Sequence, residues 1–450
     1  MGGKLSPRAL AFRLLLRMER DGAYSNLALD AALEREAMGE ADSALCTALV
    51  YGVAERRRTL EYQLEDLLRK PLKQLPLEAK AALELGLYQI YFMERVPHHA
   101  AINESVELAK HSKAPHTAGM VNAVLRRAAA RELQLPDRAK DELRWLGVRY
   151  SCPEWLGRLW RDSYGVDIAE ALLAASLERP PAALRVNTTR CAPEDLRLRL
   201  EEAGISCEVS PWLPEALLLE KPGAIPKLPG FAEGWFHVQD TAAQLCCRAL
   251  APAPGETVFD LCAAPGGKSF TLAQMMGDTG RVVAMELHEA RAGLITQGAE
   301  RLGLRCVEAV RGDAGDAGQI LSKYGRADKI LCDAPCSGLG ILRKKPDIRE
   351  KTPAELDKLP EMQYYLLCSA SECLKTGGAL AYATCTLNPA ENEALCRRFL
   401  LEHPDFAAEP VLPGIPGYRG AGEAWLTLMP HLYGGDGFFI AKFTKRTSNV

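Results

Sequence analysis

The sequence predicts a chain of three parts: an all-helical domain, a small α+β module and a doubly wound α/β domain. The length of 450 residues allows about three domains. Apolar residues recur at helical spacing through the first third of the chain. From about residue 235, short apolar runs of strand type alternate with helical stretches. We therefore place the domains at residues 1–138, 139–234 and 235–450.

The composition excludes several classes of protein. Charged residues make up 25% and hydrophobic residues 48% of the chain, which is typical of a folded protein. The net charge of -3 gives no overall basic field, although a local cleft can still be basic. No apolar run has the length of a membrane span, and arginines interrupt the N-terminal apolar stretch, unlike in a signal peptide. We expect a cytoplasmic protein that does not associate with membranes.

The metal-ligating residue types give no metal signature. The 14 cysteines are scattered, and no pair has the C-x-x-C spacing of a zinc ribbon. The eight histidines form no cluster with ligand spacing, so we predict no metal. Most free cysteines of a cytoplasmic protein are small buried hydrophobes, and a functional role for one has to follow from its position.

The first two parts are justified by caps, breakers and periodicity. Ser6 is a helix cap, Pro7 suits the first helical position, and helical stretches continue to about residue 133. The clusters Arg56–Arg58 and Arg126–Arg127 fit solvated helix faces. A further helical stretch ends at Pro180–Pro181. Beyond it we predict strands at 183–187, 206–209 and 216–220 and a helix at 193–203.

The third part has the alternation of a doubly wound sheet. Its predicted strands are Thr257–Leu261, Arg281–Met285, Val307–Val310, Lys329–Cys332, Ala379–Ala383 and Phe438–Phe443. Continuous apolar strands of this kind are buried on both faces. Helices are therefore expected on both sides of the sheet.

The first turn of this domain is rich in glycine but lacks a nucleotide signature. It runs from Asp260 to Lys268 and has neither G-x-G-x-x-G nor the phosphate-binding G-x-x-x-x-G-K-[ST] spacing. Gly266 and Gly267 let a ligand approach the backbone closely. The candidate cofactor-binding residues of this turn are Cys262, Ala263, Ala264, Pro265, Gly266, Gly267 and Lys268.

Acidic residues follow the next three predicted strands. Glu286, Asp313 and Asp333 are expected at one edge of the sheet, where ligands of doubly wound folds bind. Such a rim accepts hydrogen bonds from ribose hydroxyls and repels pyrophosphate. S-Adenosylmethionine has a ribose, a sulfonium charge and no phosphate, so we predict it as the cofactor. Each acid alone could equally be a helix cap.

Two cysteines also follow predicted strands at this edge. The positions of Cys336 and Cys385 indicate a mechanism in which a thiol reacts with a pyrimidine ring. A thiolate that adds to C6 of cytosine makes C5 nucleophilic towards a sulfonium methyl group, and the thiol is eliminated afterwards. A basic neighbour promotes the thiolate, and Arg343, Lys344 and Lys345 follow Cys336 in the chain. Spacing alone does not decide which cysteine attacks.

At these residues the sequence resembles the RNA 5-methylcytosine methyltransferases of the Nop2/NSUN/Sun group. The segments that carry this resemblance are Cys262–Ser269, Asp333–Gly340, Ala383–Glu393, Leu184–Asn187 and Val238–Gln244, with His431 and Gly434–Phe439 near the C terminus. The first ~135 residues resemble the NusB-type RNA-binding domain, through Ser6–Arg8 and Asn122–Arg126. The combination is similar to the RsmB-type (Sun/Fmu) bacterial 16S rRNA cytosine-C5 methyltransferases over essentially the whole chain.

The resemblance implies a class I, Rossmann-like catalytic domain and a role for each candidate residue. Cys385 would attack C6, and Cys336 would assist product release. Asp333 would contact the cytosine edge, and the glycine-containing turn with the three acids would hold S-adenosylmethionine. Glu286 is a departure, because the family commonly has Asp there, but it keeps the same bidentate chemistry. The implied target is cytosine 967 of 16S rRNA.

The resemblance also implies partners and leaves alternatives. The substrate would be 16S rRNA, which we expect to be unassembled or early in assembly because its helices are then more accessible. The target base is expected to be flipped out, since C5 and C6 must meet the cofactor and a thiol together. A monomer without an obligate protein partner is the default expectation. The Arg56–Arg58 cluster then becomes a candidate RNA contact. Three alternatives stay open: the same reaction on tRNA or 23S rRNA, another S-adenosylmethionine enzyme with incidental cysteines, and a non-catalytic NusB-like RNA-binding protein.

Overall fold

The structure divides the chain into a helical unit and an α/β unit. It is a computed structural model that describes residues 5–21, 26–68, 71–220, 222–419 and 424–447. Internal contacts group residues 1–177 with 345–350, and residues 178–344 with 351–450. The expected boundary at residue 138 lies inside the helical unit, because the helices that follow it pack there. The buried Thr59 hydroxyl, for example, donates to the Val148 carbonyl at 2.6 Å.

The helical unit is built from helices, of which the first six pack around a shared apolar core. Its helices are α1 Pro7–Asp21, α2 Asn26–Glu36, α3 Glu40–Leu67, α4 Leu77–Phe92, α5 His98–Lys110, α6 Ala118–Ala129, α7 Glu142–Arg149, α8 Glu154–Tyr164 and α9 Val166–Ala175. The expected cap of α1 is present, since Ser6 Oγ accepts the Ala9 N–H at 3.2 Å. Leu83, Leu85 and Leu87 are all fully buried, which places α4 in the centre of the core.

A short segment from the second half of the sequence completes the helical unit. Pro346–Glu350 forms a 3-10 turn whose Arg349 side chain is only 2% exposed. The Arg349 guanidinium donates to the Ser176 carbonyl at 3.0 Å and to the Ser176 hydroxyl at 2.8 Å. It also lies 3.4 Å from the carbonyls of Tyr150 and Ser151. These contacts satisfy most of the hydrogen-bonding capacity of the buried guanidinium, which carries five N–H donors.

The α/β unit begins with a small antiparallel sheet. Its elements are β1 Ala182–Val186, α10 Pro193–Glu202, β2 Cys207–Ser210, β3 Leu213–Leu219 and β4 Phe236–Val238, with strand order β2-β3-β1-β4. The strands predicted around residues 183, 206 and 216 are present. β4 was not predicted and extends this module past residue 234, because Leu184 pairs with Val238 in its ladder. Three residues are too few to give a periodic signal.

The larger sheet is doubly wound. Its strands are β5 Thr257–Leu261, β6 Arg281–Glu286, β7 Val307–Arg311, β8 Ala327–Asp333, β9 Leu374–Thr384, β10 Phe406–Glu409, β11 Trp425–Leu428 and β12 Phe438–Lys445. They are ordered β10-β12-β9-β8-β5-β6-β7, with β11 also paired to β12. β5 to β9 are parallel, and β12 runs antiparallel to β9. The chain order reverses between β5 and β8, which is where such folds bind ligands.

Helices cover both faces of this sheet. They are α11 Thr241–Leu250, α12 Gly267–Met275, α13 Glu289–Leu302, α14 Ala317–Ile320, α15 Pro353–Leu356, α16 Leu359–Glu372, α17 Glu393–Glu402 and α18 Pro430–Tyr433. The central strands are buried on both faces as expected, and Val258, Val283 and Leu331 are fully buried. Within the described part of the chain, no helix has the length and apolar character needed to cross a membrane.

Candidate active site at the strand switch point

The loop between β5 and α12 has a backbone that requires glycine. Gly266 adopts φ 105°, and a Cβ there would lie 2.5 Å from the Phe270 ring. Cys262 also has a positive φ of 65°, directly after β5. Beneath this loop Asp260 is fully buried and accepts the Ser269 hydroxyl at 2.5 Å. Burial raises the pKa of Asp260 to about 7.

The three acids predicted to share an edge do so. Glu286 ends β6 and Asp333 ends β8, while Asp313 follows β7 by two residues. Glu286 and Asp313 each accept a backbone N–H two residues further on, at 3.1 Å and 2.8 Å. Asp313 therefore also caps its own turn, which was the alternative role for these acids.

Lys268 joins the cofactor loop to the end of β8. Its Nζ donates to Asp333 at 2.6 Å and lies 5.3 Å from the centre of the Phe438 ring. Burial opposes the ammonium charge, but Asp333 outweighs it and raises the pKa of Lys268. The ion pair therefore keeps the Lys268 amine protonated at the switch point.

The two cysteine loops bring their thiols into contact. Cys336 Sγ lies 3.3 Å from Cys385 Sγ, and both residues are half-buried. A hydrogen bond from the Cys336 thiol, helped by the charge of Lys268, lowers the pKa of Cys385 below its ordinary value. The same hydrogen bond, with burial, raises the pKa of Cys336 well above its ordinary value. Both shifts make Cys385 the more acidic thiol of the pair and Cys336 the less acidic one.

The cation beside the thiols is not the one suggested by sequence proximity. Arg343 Nε donates to Asp436 at 3.2 Å, and Lys344 Nζ bridges Asp436 and Asp240 at 2.6 Å each. Those carboxylates neutralise both side chains, and Lys345 belongs to the helical unit. Lys268 takes the predicted role, although it lies far from either cysteine in the sequence.

Sequence reasoning missed a buried polar network behind the thiols. Asn392 bridges the residues on either side of Cys385: its Oδ1 accepts from Thr384 Oγ1 at 2.6 Å, and its Nδ2 donates to the Thr386 carbonyl at 2.9 Å. Glu391 is fully buried and accepts from the loop that follows Cys336. The only sequence signal for these residues was their place in a segment quoted for its family resemblance.

The basic clusters of the helical unit have partners inside that unit. Arg56 lies 4.7 Å from the centre of the Phe92 ring, and Arg57 pairs with Glu19 at 3.1 Å. Arg58 pairs with a carboxylate at 3.4 Å, and Arg127 donates to a backbone carbonyl at 2.6 Å. Each of these four arginines therefore has a partner within the helical unit, and the contact of either cluster with RNA stays a prediction.

The donor set of the edge fits S-adenosylmethionine. Carboxylates accept hydrogen bonds from ribose hydroxyls and attract a sulfonium charge, and the glycine loop leaves room for a ligand beside the backbone. Two cations at this edge are paired with its acids: Lys268 with Asp333 at 2.6 Å and Arg291 with Glu286 at 3.4 Å. Among the described residues, no group of three or more His, Cys, Asp or Glu side chains could hold a metal ion. This fold and site define an S-adenosylmethionine-dependent methyltransferase.

Comparison with known proteins gives the family. The family model of the 16S rRNA methyltransferase RsmB/F matches residues 247–444, the NusB family model matches 5–130, and the RsmF/B-like ferredoxin-like domain matches 152–226. The "Probable ribosomal RNA small subunit methyltransferase B" of Synechocystis sp. is 39% identical and covers 98% of this chain and 100% of its own length. The chain belongs to the RsmB/F methyltransferase family.

Solved structures agree with this assignment. The crystal structure of PH0851 has a TM-score of 0.81 and 26% identity, covering 98% of this chain and 100% of its own. NSun6 from Pyrococcus horikoshii, crystallised with the S-adenosylmethionine analogue SFG, has a TM-score of 0.60 and 23% identity, covering 66% and 99%. The NusB and RsmB/F family models confirm the predicted NusB-like domain, the Rossmann-like catalytic domain and S-adenosylmethionine as the cofactor.

Proposed function

We propose that this chain methylates C5 of a cytosine in 16S rRNA, cytosine 967 in conventional numbering, through a transient bond between Cys385 and C6. The observation that carries the proposal is the thiol pair at the carboxyl ends of β8 and β9, with Cys385 the more acidic partner. We take rRNA as the substrate class from the names of the relatives. We further propose that the enzyme acts as a cytoplasmic monomer on rRNA that is not yet packed into a particle.

The first half of the mechanism is nucleophilic addition. The Cys385 thiolate forms a bond to C6, and the electron pair of the C5–C6 double bond moves to C5. S-Adenosylmethionine supplies the methyl group that C5 takes up. Asp333 and Lys268 meet at 2.6 Å beside the thiols and offer an acceptor for the cytosine amino group and a donor for its carbonyl oxygen. A flipped-out base is required, because C5 and C6 are not reachable inside a duplex.

The second half of the mechanism needs a base, and the Cys336 thiol becomes one when its pKa falls. Its pKa is raised mainly by the neighbouring Cys385 sulfur. Once that sulfur is bonded to C6 it carries no negative charge, so the pKa of Cys336 falls. The Cys336 thiolate then removes the C5 proton, the C5–C6 double bond re-forms, and Cys385 leaves as a thiolate. Charges and protons balance, with one proton released to solvent per turnover.

The proposal is tested by methyl transfer from labelled S-adenosylmethionine to unmodified 16S rRNA, with identification of the product nucleoside and its position. We expect 5-methylcytidine from the wild-type protein and none from Cys385→Ala. Cys306→Ala is the matched control, because this half-buried thiol precedes β7 at the opposite edge of the sheet. Label in another nucleoside would contradict the proposed reaction.

Trapping distinguishes the two cysteines. RNA carrying 5-fluorocytosine cannot lose a proton from C5, so the covalent adduct accumulates. We expect the adduct with wild-type protein and with Cys336→Ala, and its loss with Cys385→Ala. The reverse pattern, with Cys336→Ala failing to form the adduct, would assign the attack to the other thiol.

A further inference from the structure

The segments that follow the two cysteines are joined by a buried carboxylate. Glu391 is 0% exposed, and each of its oxygens accepts two hydrogen bonds. Oε2 accepts from the Ser337 N–H and the Gln363 amide, both at 2.9 Å. Oε1 accepts from the Ser337 hydroxyl at 2.5 Å and the Asn388 amide at 2.9 Å. Four donors compensate the carboxyl group for the water that it loses on burial.

These bonds cross from one cysteine loop to the other. Ser337 is the residue directly after Cys336, whereas Asn388 and Glu391 follow Cys385 by three and six residues. The Ser337 hydroxyl also lies 2.6 Å from Thr386 Oγ1, which adds a second link.

Two further hydrogen bonds hold the backbone on either side of Cys336. Lys351 Nζ donates to the Ser337 carbonyl at 2.8 Å, and the Gln363 amide that binds Glu391 also donates to the Pro335 carbonyl at 2.9 Å. The residues on both sides of Cys336 are therefore held, while the Sγ itself is left for Cys385. Side chains held by packing and by a second layer of hydrogen bonds keep reactive groups in a productive geometry.

We propose that Glu391 is a positioning residue, whose carboxylate holds the Cys336 thiol within hydrogen-bond distance of Cys385. It touches neither sulfur and acts through Ser337. The inference rests on the proposed function of the thiol pair and deepens it, because it names the group that fixes their separation. A sulfur pair that drifts apart loses the hydrogen bond that stabilises the Cys385 thiolate.

The test is the pH profile of Cys385 alkylation in the full-length protein. Glu391→Gln keeps the size of the side chain but puts an amide donor against donors that have no acceptor left. We expect the midpoint of iodoacetamide modification at Cys385, followed by mass spectrometry, to rise by about one pH unit, which slows alkylation at pH 7 about ten-fold. Methyl transfer should fall in kcat with the KM for RNA unchanged.

The control and a milder variant keep the inference falsifiable. Glu361→Gln changes an exposed carboxylate on α16, two residues before Gln363, and should retain the wild-type midpoint. Ser337→Ala removes one hydroxyl from the network and should shift the midpoint in the same direction by a smaller amount, even where Glu391→Gln does not fold. Wild-type midpoints in Ser337→Ala and in folded Glu391→Gln would overturn the inference.

Failure of the proposed function is distinguishable from failure of this inference. Alkylation requires neither RNA nor cofactor, so it reports on the thiol pair alone. Wild-type protein that makes no 5-methylcytidine but shows the midpoint shift in both variants would refute the reaction and support the positioning role. A normal reaction with unshifted midpoints would do the opposite.

Discussion

At the scale of single residues, neighbours rather than residue type separate the functional thiols from the rest. Burial raises the pKa of Cys247 and of Cys262 to about 12, so both stay protonated and inert at neutral pH. Cys385 differs because a thiol donor and an ammonium group face it. The sequence placed Cys336 and Cys385 at one edge of the sheet, but their contact depends on β8 and β9 being adjacent strands.

The acidity of Cys385 is predicted to depend on Cys336. In Cys336→Ala the hydrogen bond to the Cys385 sulfur is absent, so the pKa of Cys385 should rise by about one unit. Alkylation of Cys385 at pH 7 should then be about ten-fold slower than in wild type. Cys306→Ala supplies the comparison. An unchanged rate in Cys336→Ala would mean that Lys268 alone activates the nucleophile.

Asp260 is predicted to make stability depend on pH. Its folded-state pKa of about 7 lies above the ordinary value of 3.8, so the folded protein binds a proton that the unfolded chain has released. The stabilisation of the fold by this bound proton is fully present below pH 4 and is lost as pH rises towards 7. Asp260→Asn removes this dependence. Relative to wild type, the variant should gain about 2 kcal/mol of unfolding free energy between pH 5 and pH 7.

Urea titrations of both proteins at a series of pH values measure this difference. His237 is a background group of opposite sign, because burial lowers its pKa to about 3 and its contribution is lost as pH falls below 6.5. It is present in both proteins and cancels in the comparison. A difference that stays flat from pH 5 to pH 7 would show that Asp260 is ionised throughout.

At the scale of elements, the long apolar segments were predictable, whereas three of the short strands were not. β5 spans Thr257–Leu261 as predicted, because a continuous apolar run marks a strand that is buried on both faces. β4, β10 and β11 were missed, since strands of three or four residues carry little period and depend on a partner, although β2 of the same length was predicted. β11, for instance, exists through its ladder with β12, from Trp425 opposite Ala441 to Leu428 opposite Phe438.

The start of α12 is predicted to be intolerant of a side chain at Gly266. Gly266→Ala would force a Cβ against Phe270 and strain a backbone with φ 105°, which costs about 1–2 kcal/mol for a non-glycine residue. The loop should deform and the dissociation constant for S-adenosylmethionine should rise at least ten-fold in calorimetric titration. Gly293→Ala on α13 meets no atom within 4 Å and should bind normally. Equal affinities in both variants would separate this loop from the cofactor.

At the scale of the whole molecule, the chain order and the folded units do not coincide. Residues 345–350 lie between two elements of the catalytic sheet, yet they belong to the helical unit. No local sequence pattern predicts this assignment, because Arg349 donates to Ser176, which is 173 residues away in the sequence. The sequence could therefore predict the fold class of each region. It could not predict that residues 345–350 pack with the helical unit, because that packing depends on long-range hydrogen bonds.

Arg349 is predicted to be the residue through which that segment stabilises the helical unit. Arg349→Met has a side chain of similar length but donates no hydrogen bond, so the Ser176 hydroxyl and carbonyl lose a buried donor. Lost bonds to a charged group cost about 1.5–3 kcal/mol each, and relaxation recovers part of this cost. We expect the free energy of unfolding of the helical unit to fall by about 3 kcal/mol, seen as an earlier transition in scanning calorimetry of the full chain.

Arg35→Met is the matched control for this experiment. Its side chain is on α2 of the same unit and is 74% exposed, so its loss should leave the transition within about 0.5 kcal/mol of wild type. Cofactor binding should stay normal in both variants, because Arg349 lies outside the α/β unit that carries the cofactor loop. Unchanged unfolding in Arg349→Met would mean that the segment rests against the helices without stabilising them. A transition lowered only in that variant would make residues 345–350 an integral part of the helical fold.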